Sequence, residues 1–208
     1  GNTVTLSDAG TVTGDADVGA YNLAAGNNTF IMADSGQTVV GNIGIDLITG
    51  GNGDDRISGM EGADILRGGD GADIITGGTG SDNLSGEDGS DIFVFASGDT
   101  SYEVTDETIT DFETGFDKLD FGSGIDAFVI EDGSSMVLST FKDAAEATFT
   151  VGDMDVYIAY NVSGLNDALV AVDHNKDGSF NLGDTLIKLS DISLDTEILV
   201  GDIQTYIG

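Results

Sequence analysis

Residues 41–94 read GNIGIDLIT, GGNGDDRIS, GMEGADILR, GGDGADIIT, GGTGSDNLS and GEDGSDIFV, which are six nonapeptides with no insertion between them. Position four is always Gly, position six is always Asp, and position eight is always a large hydrophobic residue. The hydrophobic column consists of Ile48, Ile57, Leu66, Ile75, Leu84 and Phe93. A period kept over all six units predicts a repeat architecture. The alternative, a flexible Gly-rich linker, gives no reason for a hydrophobic residue in fixed phase.

The pattern G-G-x-G-x-D-x-U-x, with U a large hydrophobic residue, resembles the calcium-binding repeat of RTX proteins. The resemblance implies an all-β fold, a parallel β-roll (a β-solenoid), with Ca²⁺ as its cofactor. Glycines let the loop curl and direct carbonyl oxygens inward, and the Asp carboxylate adds the hard oxygen ligands that calcium prefers. The implied metal-site residues are Gly41, Gly44, Asp46, Gly50, Gly53, Asp55, Gly59, Gly62, Asp64, Gly68, Gly71, Asp73, Gly77, Gly80, Asp82, Gly86, Gly89 and Asp91.

In such a roll two nonapeptides complete one coil, so repeats n and n+2 stack about 4.8 Å apart. Residues seven to nine form a short strand whose eighth residue points inward. Three loops on each flank leave two gaps per flank. We therefore expect about four ions between stacked loops of the roll.

The hydrophobic phase continues toward the N-terminus in steps of nine, at Val39, Phe30, Tyr21 and Val12. Position six is no longer Asp there, because the column holds Gln37, Asn28 and Gly19. Residues 1–40 are therefore predicted to be degenerate β coils or an N-terminal cap, without strong metal sites. The alternative is an unrelated β segment whose spacing agrees by chance.

Residues 95–122 follow the roll, which itself is assigned to residues 41–94. They resemble the cap after the repeats of RTX proteins, including the C-terminal domains of serralysin-type metalloproteases, where the pattern is I-x-D-F-x-x-G-x-D-K-I-D. The matching residues are Ile109, Asp111, Phe112, Gly115, Asp117, Lys118, Leu119 (in place of the commoner Ile) and Asp120. By this resemblance, Asp111 is a ligand of a last ion.

Residues 123–208 have short apolar runs separated by Gly, Asp and Asn, which predicts a C-terminal β region. Within it, DHNKDGSFNLGD (173–184) fits a twelve-residue EF-hand-type calcium loop. Its ligand positions are Asp173, Asn175, Asp177, Ser179 and Asp184. Asp184 stands where Glu is usual, and strand-like segments flank the loop, so one further ion is expected in an EF-like loop without the usual helices. A solvated turn is the alternative. His174, at the variable second position, is expected to be exposed.

The charge balance is strongly acidic, with 38 Asp and Glu against 6 Lys and Arg and a net charge of −32 at pH 7. Such a field disfavours nucleic acid and anionic membranes as partners and attracts cations, although a salt-adapted surface is an alternative source of acidity. There is no Cys for a disulfide or thiolate site. No apolar run is long enough for a membrane span. The start at Gly1, without a secretory signal, predicts a monomeric fragment of a larger protein.

Three functions are compatible with these features. The first is a calcium-binding module of a secreted protein that folds outside the cell and supports type I secretion, with the machinery of that pathway as partner and an export signal near ILVGDIQTYIG (198–208). The second, an enzyme, is disfavoured because the chain has one His and no H-E-x-x-H. The third is a structural or adhesive module of a cell-surface adhesin or S-layer protein. The first and third imply a secreted or cell-surface location.

Overall fold

The computed structural model describes residues 2–96, 99, 107–122, 128–132, 145, 156–160, 167–174, 179–180, 184–190 and 203–204. Apart from the single helical residue Ala145, the elements in these ranges are β-strands, so the predicted all-β class is confirmed. They are β1 (Asn2–Thr5), β2 (Thr11–Thr13), β3 (Val18–Asn22), β4 (Thr29–Ile31), β5 (Thr38–Val40), β6 (Leu47–Thr49), β7 (Arg56–Glu61), β8 (Ile65–Gly71), β9 (Ile74–Thr79), β10 (Asn83–Gly89), β11 (Ile92–Val94), β12 (Glu107–Ile109), β13 (Lys118–Asp120), β14 (Phe128–Asp132), β15 (Val156–Tyr160), β16 (Ala168–Val172), β17 (Thr185–Leu189) and β18 (Ile203–Gln204).

From β1 to β13, successive strands alternate between two sheets, and within each sheet these strands pair in parallel. One sheet runs β1-β3-β5-β7-β9-β11-β13-β18, and the other contains β12-β10-β8-β6-β4-β2. Leu66 of β8 pairs with Ile48 of β6, and Ile75 of β9 pairs with Ile57 of β7, so each residue lies beside the one two nonapeptides away. The parallel β-roll is therefore confirmed. The same stacking continues toward the N-terminus through β5 to β1.

The core of the roll is the column of position-eight side chains. Period-two alternation in each short strand turns position eight inward while positions seven and nine face outward. All six of these side chains in residues 41–94 are 0% exposed. Val39, Phe30 and Tyr21 extend the buried column backward, whereas Val12 is only partly buried.

The C-terminal end adds one more coil and an extension in which parallel and antiparallel pairs are mixed. Ile109 of β12 stacks on Leu84, and Leu119 of β13 stacks on Phe93, with longer connecting segments than in the repeats. On the outer side of β12 lies β17, followed by β16, β15 and β14. Of the five short apolar runs in residues 123–208, four coincide with β14 to β17: Phe128–Ile130, Val156–Tyr160, Leu169–Val172 and Leu186–Leu189. The fifth run, Ile198–Val200, lies outside the described residues.

Candidate metal centre

The position-six carboxylates form two hydrogen-bonded ladders, one along each flank. On the first flank, Oδ1 of Asp64 accepts the backbone N–H of Asp46 (2.8 Å), and Oδ1 of Asp82 accepts that of Asp64 (2.7 Å). On the second flank, Asp73 accepts from Asp55 (2.8 Å) and Asp91 accepts from Asp73 (2.9 Å). One oxygen of each accepting carboxylate is thus engaged by the backbone of the preceding coil.

The other oxygen is left without a partner along much of each ladder. Oδ2 of Asp46, Asp64, Asp73 and Asp91 is buried and accepts no hydrogen bond. A buried carboxylate oxygen with no donor carries a substantial desolvation penalty unless a cation satisfies it. These four oxygens therefore indicate a positively charged partner.

Each of these oxygens faces a space that the position-one glycine keeps open. A Cβ on Gly41 would lie 2.5 Å from Oδ2 of Asp46 and 2.6 Å from the carbonyl oxygen of Gly59 on the next coil. A Cβ on Gly68 would likewise meet Oδ2 of Asp73 and lie 2.7 Å from the carbonyl oxygen of Gly86. The space is bordered by one carboxylate and one carbonyl from two stacked loops, and any side chain at position one would fill it.

The position-four glycines have a different role. Gly71 has a φ of +137°, and a Cβ there would lie 2.6 Å from the carbonyl oxygen of Gly53 on the coil beneath. Left-handed backbone disfavours residues with a Cβ, and the close approach of two loops excludes one. Because position four carries no Cβ, the backbones of two stacked loops can approach each other closely.

Burial shifts the acidity of these carboxylates. Desolvation raises the pKa of Asp73 to about 7 and the pKa values of Asp64 and Asp91 to about 6, with smaller contributions from neighbouring carboxylates. The same cause raises the pKa values of Asp46 and Asp55. Burial therefore makes these carboxylates easier to protonate than an exposed Asp side chain.

Comparison with protein families identifies the repeated unit. Residues 34–66 and 67–101 match the family model of the RTX calcium-binding nonapeptide repeat (4 copies). These segments are RTX calcium-binding repeats. No curated protein matches the chain.

The RTX loops offer calcium an oxygen-only environment, which suits a hard cation. Among the residues that the structure describes, no group of three or more His, Cys, Asp or Glu side chains is placed to hold a metal. The space beside Oδ2 is bordered by a position-six carboxylate and by a backbone carbonyl oxygen of the next stacked loop, so backbone carbonyls would join the carboxylate as ligands of an RTX site. The individual ligands named from the sequence remain predictions.

Two aspartates of the cap, Asp111 and Asp117, contact the last RTX repeats. Oδ1 of Asp111 accepts the N–H of Gly86 (3.0 Å), and its Oδ2 accepts from the N–H of Glu87 (2.9 Å) and the hydroxyl of Ser85 (2.5 Å). Its carboxylate caps the last repeat loop, and a ligand role for it remains a prediction. Asp117, whose Oδ1 accepts the N–H of Asp91 (2.9 Å), occupies the next rung of the second ladder.

The predicted EF-like loop lies at a β-hairpin. Val172 of β16 pairs with Thr185 of β17, which brings the first and twelfth loop positions, Asp173 and Asp184, beside each other. Both carboxylates are buried. Ser179 is partly buried, while Asn175 and Asp177 lie outside the described residues.

The expectation that His174 is exposed was wrong. Its ring packs edge-on against Phe121, with centroids 6.4 Å apart, and burial lowers the pKa of the imidazole. His174 therefore connects the hairpin to Phe121 of the cap. The sequence pattern of the loop does not reveal this tertiary contact, because the second loop position is variable.

The raised carboxylate pKa values predict an inverted pH dependence in calcium-free buffer. The unfolded-state pKa of Asp is near 3.8, whereas those of Asp64, Asp73 and Asp91 in the roll are about 6 to 7. The folded state therefore binds protons more tightly at these three groups, so the stability they contribute is fully present below about pH 3.8 and is lost as the pH rises through 6 to 7. In chelator, the β signal of the far-UV circular dichroism spectrum should therefore be greater at pH 5 than at pH 8.

Calcium should reverse that dependence, because the ion needs the ionised carboxylate and competes with protons. Asp73→Asn is the control, since it removes one titrating group and should flatten the calcium-free profile. A calcium-free roll that loses stability between pH 8 and pH 5 would contradict the burial of unpaired carboxylates.

Proposed function

We propose that this chain is a calcium-dependent folding module of a secreted protein, loose in the calcium-poor cytosol and folded in the calcium-rich exterior. The observation that carries the proposal is the buried column of unpartnered Oδ2 atoms of Asp46, Asp64, Asp73 and Asp91, each beside a glycine-lined space. Without a cation, like charges stack one strand spacing apart, with little inward apolar area per short strand to offset them. With calcium, the same oxygens become ligands.

The size of the effect is sufficient for a folding switch. An ion present at 100 times its dissociation constant stabilises the folded state by about 2.7 kcal/mol. Four interloop ions would together contribute roughly 11 kcal/mol, against a typical domain stability of about 5–15 kcal/mol. Binding of calcium by the acidic unfolded chain would reduce this figure.

A calcium switch of this kind would allow the chain to be exported before it folds. RTX repeats are typical of secreted proteins, and a chain that stays unfolded without calcium can pass through a type I secretion channel. We place the export signal in the C-terminal segment 198–208. Among the residues that the structure describes, none forms a helix suited to crossing a bilayer.

The module is proposed to act as a structural element rather than a catalyst. RTX rolls are structural calcium-binding elements, and the buried carboxylates that the repeats supply are accounted for as ladder rungs and ligands. The hairpin at Asp173 and Asp184 is proposed as one further calcium site, because its two end carboxylates lie side by side and buried.

A calcium titration followed by far-UV circular dichroism tests the proposal. The whole chain in chelator should give a coil-like spectrum and be digested rapidly by protease. Millimolar calcium should convert it to a β-rich, protease-resistant form, and chelator should reverse the change. Magnesium at the same concentration is the control, since it keeps its hydration and demands a stricter geometry. A full β spectrum and protease resistance in excess chelator would remove the basis of the switch.

A further inference from the structure

The side-chain amide of Asn28 lies among oxygen atoms at the N-terminal end of the first ladder. Asn28 occupies position six of the coil before Asp46, and it is buried. Its Nδ2 donates to the carbonyl oxygens of Ala24 (2.9 Å) and Gly26 (2.6 Å) and to Oδ1 of Asp46 (2.9 Å). A neutral amide nitrogen carries only two hydrogens, so three acceptors, one of them a carboxylate, crowd around it. Such a cluster of oxygen atoms attracts a cation.

A second amide, Gln37, occupies position six on the other flank, but its side chain reaches back to the preceding coil. Nε2 of Gln37 donates to the carbonyl oxygens of Asp15 (2.8 Å) and Val18 (2.5 Å) on the preceding coil. Its Oε1 accepts the N–H of Ala33 (2.9 Å) and lies 2.8 Å from where a Cβ on Gly14 would be. Gly14 is the position-one residue of its loop. The space beside it is filled here by a side-chain amide, whereas the space beside Gly41 is bordered by an unpartnered carboxylate oxygen.

We propose that Asn28 and Gln37 replace the metal ion at the N-terminal end of each flank. This inference rests on the proposed calcium-dependent function. Each amide N–H group satisfies loop carbonyls that would otherwise need a cation, and it does so without adding charge. The ion columns therefore begin after these residues, and the coils before Gly41 hold their loops together without calcium.

This replacement explains why the first coils keep the fold while losing the Asp column. Strands β4 and β5 pair with β6 and β7, the first strands of the repeats. Loops held by amides would give the calcium-dependent coils an edge on which to pair. Parallel strands depend on such an edge, because their pairing is non-local and forms slowly.

Asn28→Asp tests the inference by restoring the repeat residue. The variant should take up one more calcium ion than the wild-type chain, measured by isothermal titration and by native mass spectrometry in calcium. Asn27→Asp is the matched control: it adds the same charge at an exposed neighbour, and an Asp there can still accept the N–H of Ile45 as the Asn27 oxygen does (2.9 Å). The control should leave the stoichiometry unchanged.

Two further variants keep the test decisive should Asn28→Asp fail to fold. Gln37→Glu should likewise gain one ion on the second flank. Asn28→Ala should keep the wild-type stoichiometry, whereas loss of an ion would show that the buried, unpartnered Oδ1 of Asn28 is itself a ligand and would overturn the inference.

The outcomes separate this inference from the proposed function. A wild-type chain that takes up no calcium would overturn the proposed function and the inference with it. A wild-type chain that takes up calcium, with no extra ion in folded Asn28→Asp or Gln37→Glu, would overturn the inference alone.

Discussion

Replacing Asp73 with Asn is expected to destabilise the calcium-loaded chain strongly while sparing the calcium-free one. Asp73 is in the middle of its ladder, with stacked loops on both sides. The Asn oxygen can still accept the N–H of Asp55, but the charge that a calcium ion needs is gone. With calcium at 100 times the dissociation constant, each ion lost lowers the free energy of unfolding by about 2.7 kcal/mol. Urea unfolding in saturating calcium measures this loss.

In chelator the effect of Asp73→Asn on stability should change sign, because Asn replaces a buried carboxylate whose Oδ2 has no partner. The far-UV signal of Asp73→Asn in chelator should equal or exceed that of the wild type. Asp70→Asn is the matched control, since it removes the same charge from an exposed position of the same loop. Equal losses for both variants in calcium would mean that net charge, rather than the position-six site, determines stability.

Gly71→Ala is expected to destabilise the calcium-loaded roll without removing a carboxylate. The residue has a φ of +137°, and a Cβ would lie 2.6 Å from the carbonyl carbon and oxygen of Gly53. An unfavourable backbone conformation costs about 1–3 kcal/mol and overpacking a similar amount, so the expected loss is roughly 2–6 kcal/mol. Thermal unfolding in calcium measures it.

Two other glycines separate the two causes. Gly115 has a φ of +85° but open space around its Cβ, so Gly115→Ala should show the backbone cost alone. Gly10 has neither constraint, so Gly10→Ala should be nearly neutral. If Gly71→Ala were as mild as Gly10→Ala, close stacking of the loops would not hold in solution.

The repeated part of the fold is predictable because its signals are local and in phase. A hydrophobic residue every nine positions implies one inward side chain per strand, and Ile48, Ile57 and Leu66 are fully buried as predicted. The same phase was traced back to Val12, and its residues are buried as far back as Tyr21, whereas Val12 is only partly buried. A fixed period therefore allows buried positions to be predicted without knowledge of contacts between distant residues.

The ends of the ladders could not be predicted in this way. Asp117 lies 26 residues after Asp91, so it falls outside the nine-residue phase, yet it occupies the next rung. At the other end, the loss of Asp at positions 28 and 37 indicated only that a ligand was missing. That the amides fill the gap depends on carbonyl oxygens brought together by the stacked loops, which no spacing in the sequence reveals.

The central claim is that calcium lies between stacked loops, beside the unpartnered carboxylate oxygens. Crystals grown in millimolar calcium, with anomalous diffraction collected at long wavelength, test it most directly. We expect anomalous peaks between Oδ2 of Asp64 and the carbonyl oxygen of Gly77, and between Oδ2 of Asp73 and that of Gly86. Loops without anomalous density under those conditions, with the same oxygens bound to water or protein donors, would contradict it.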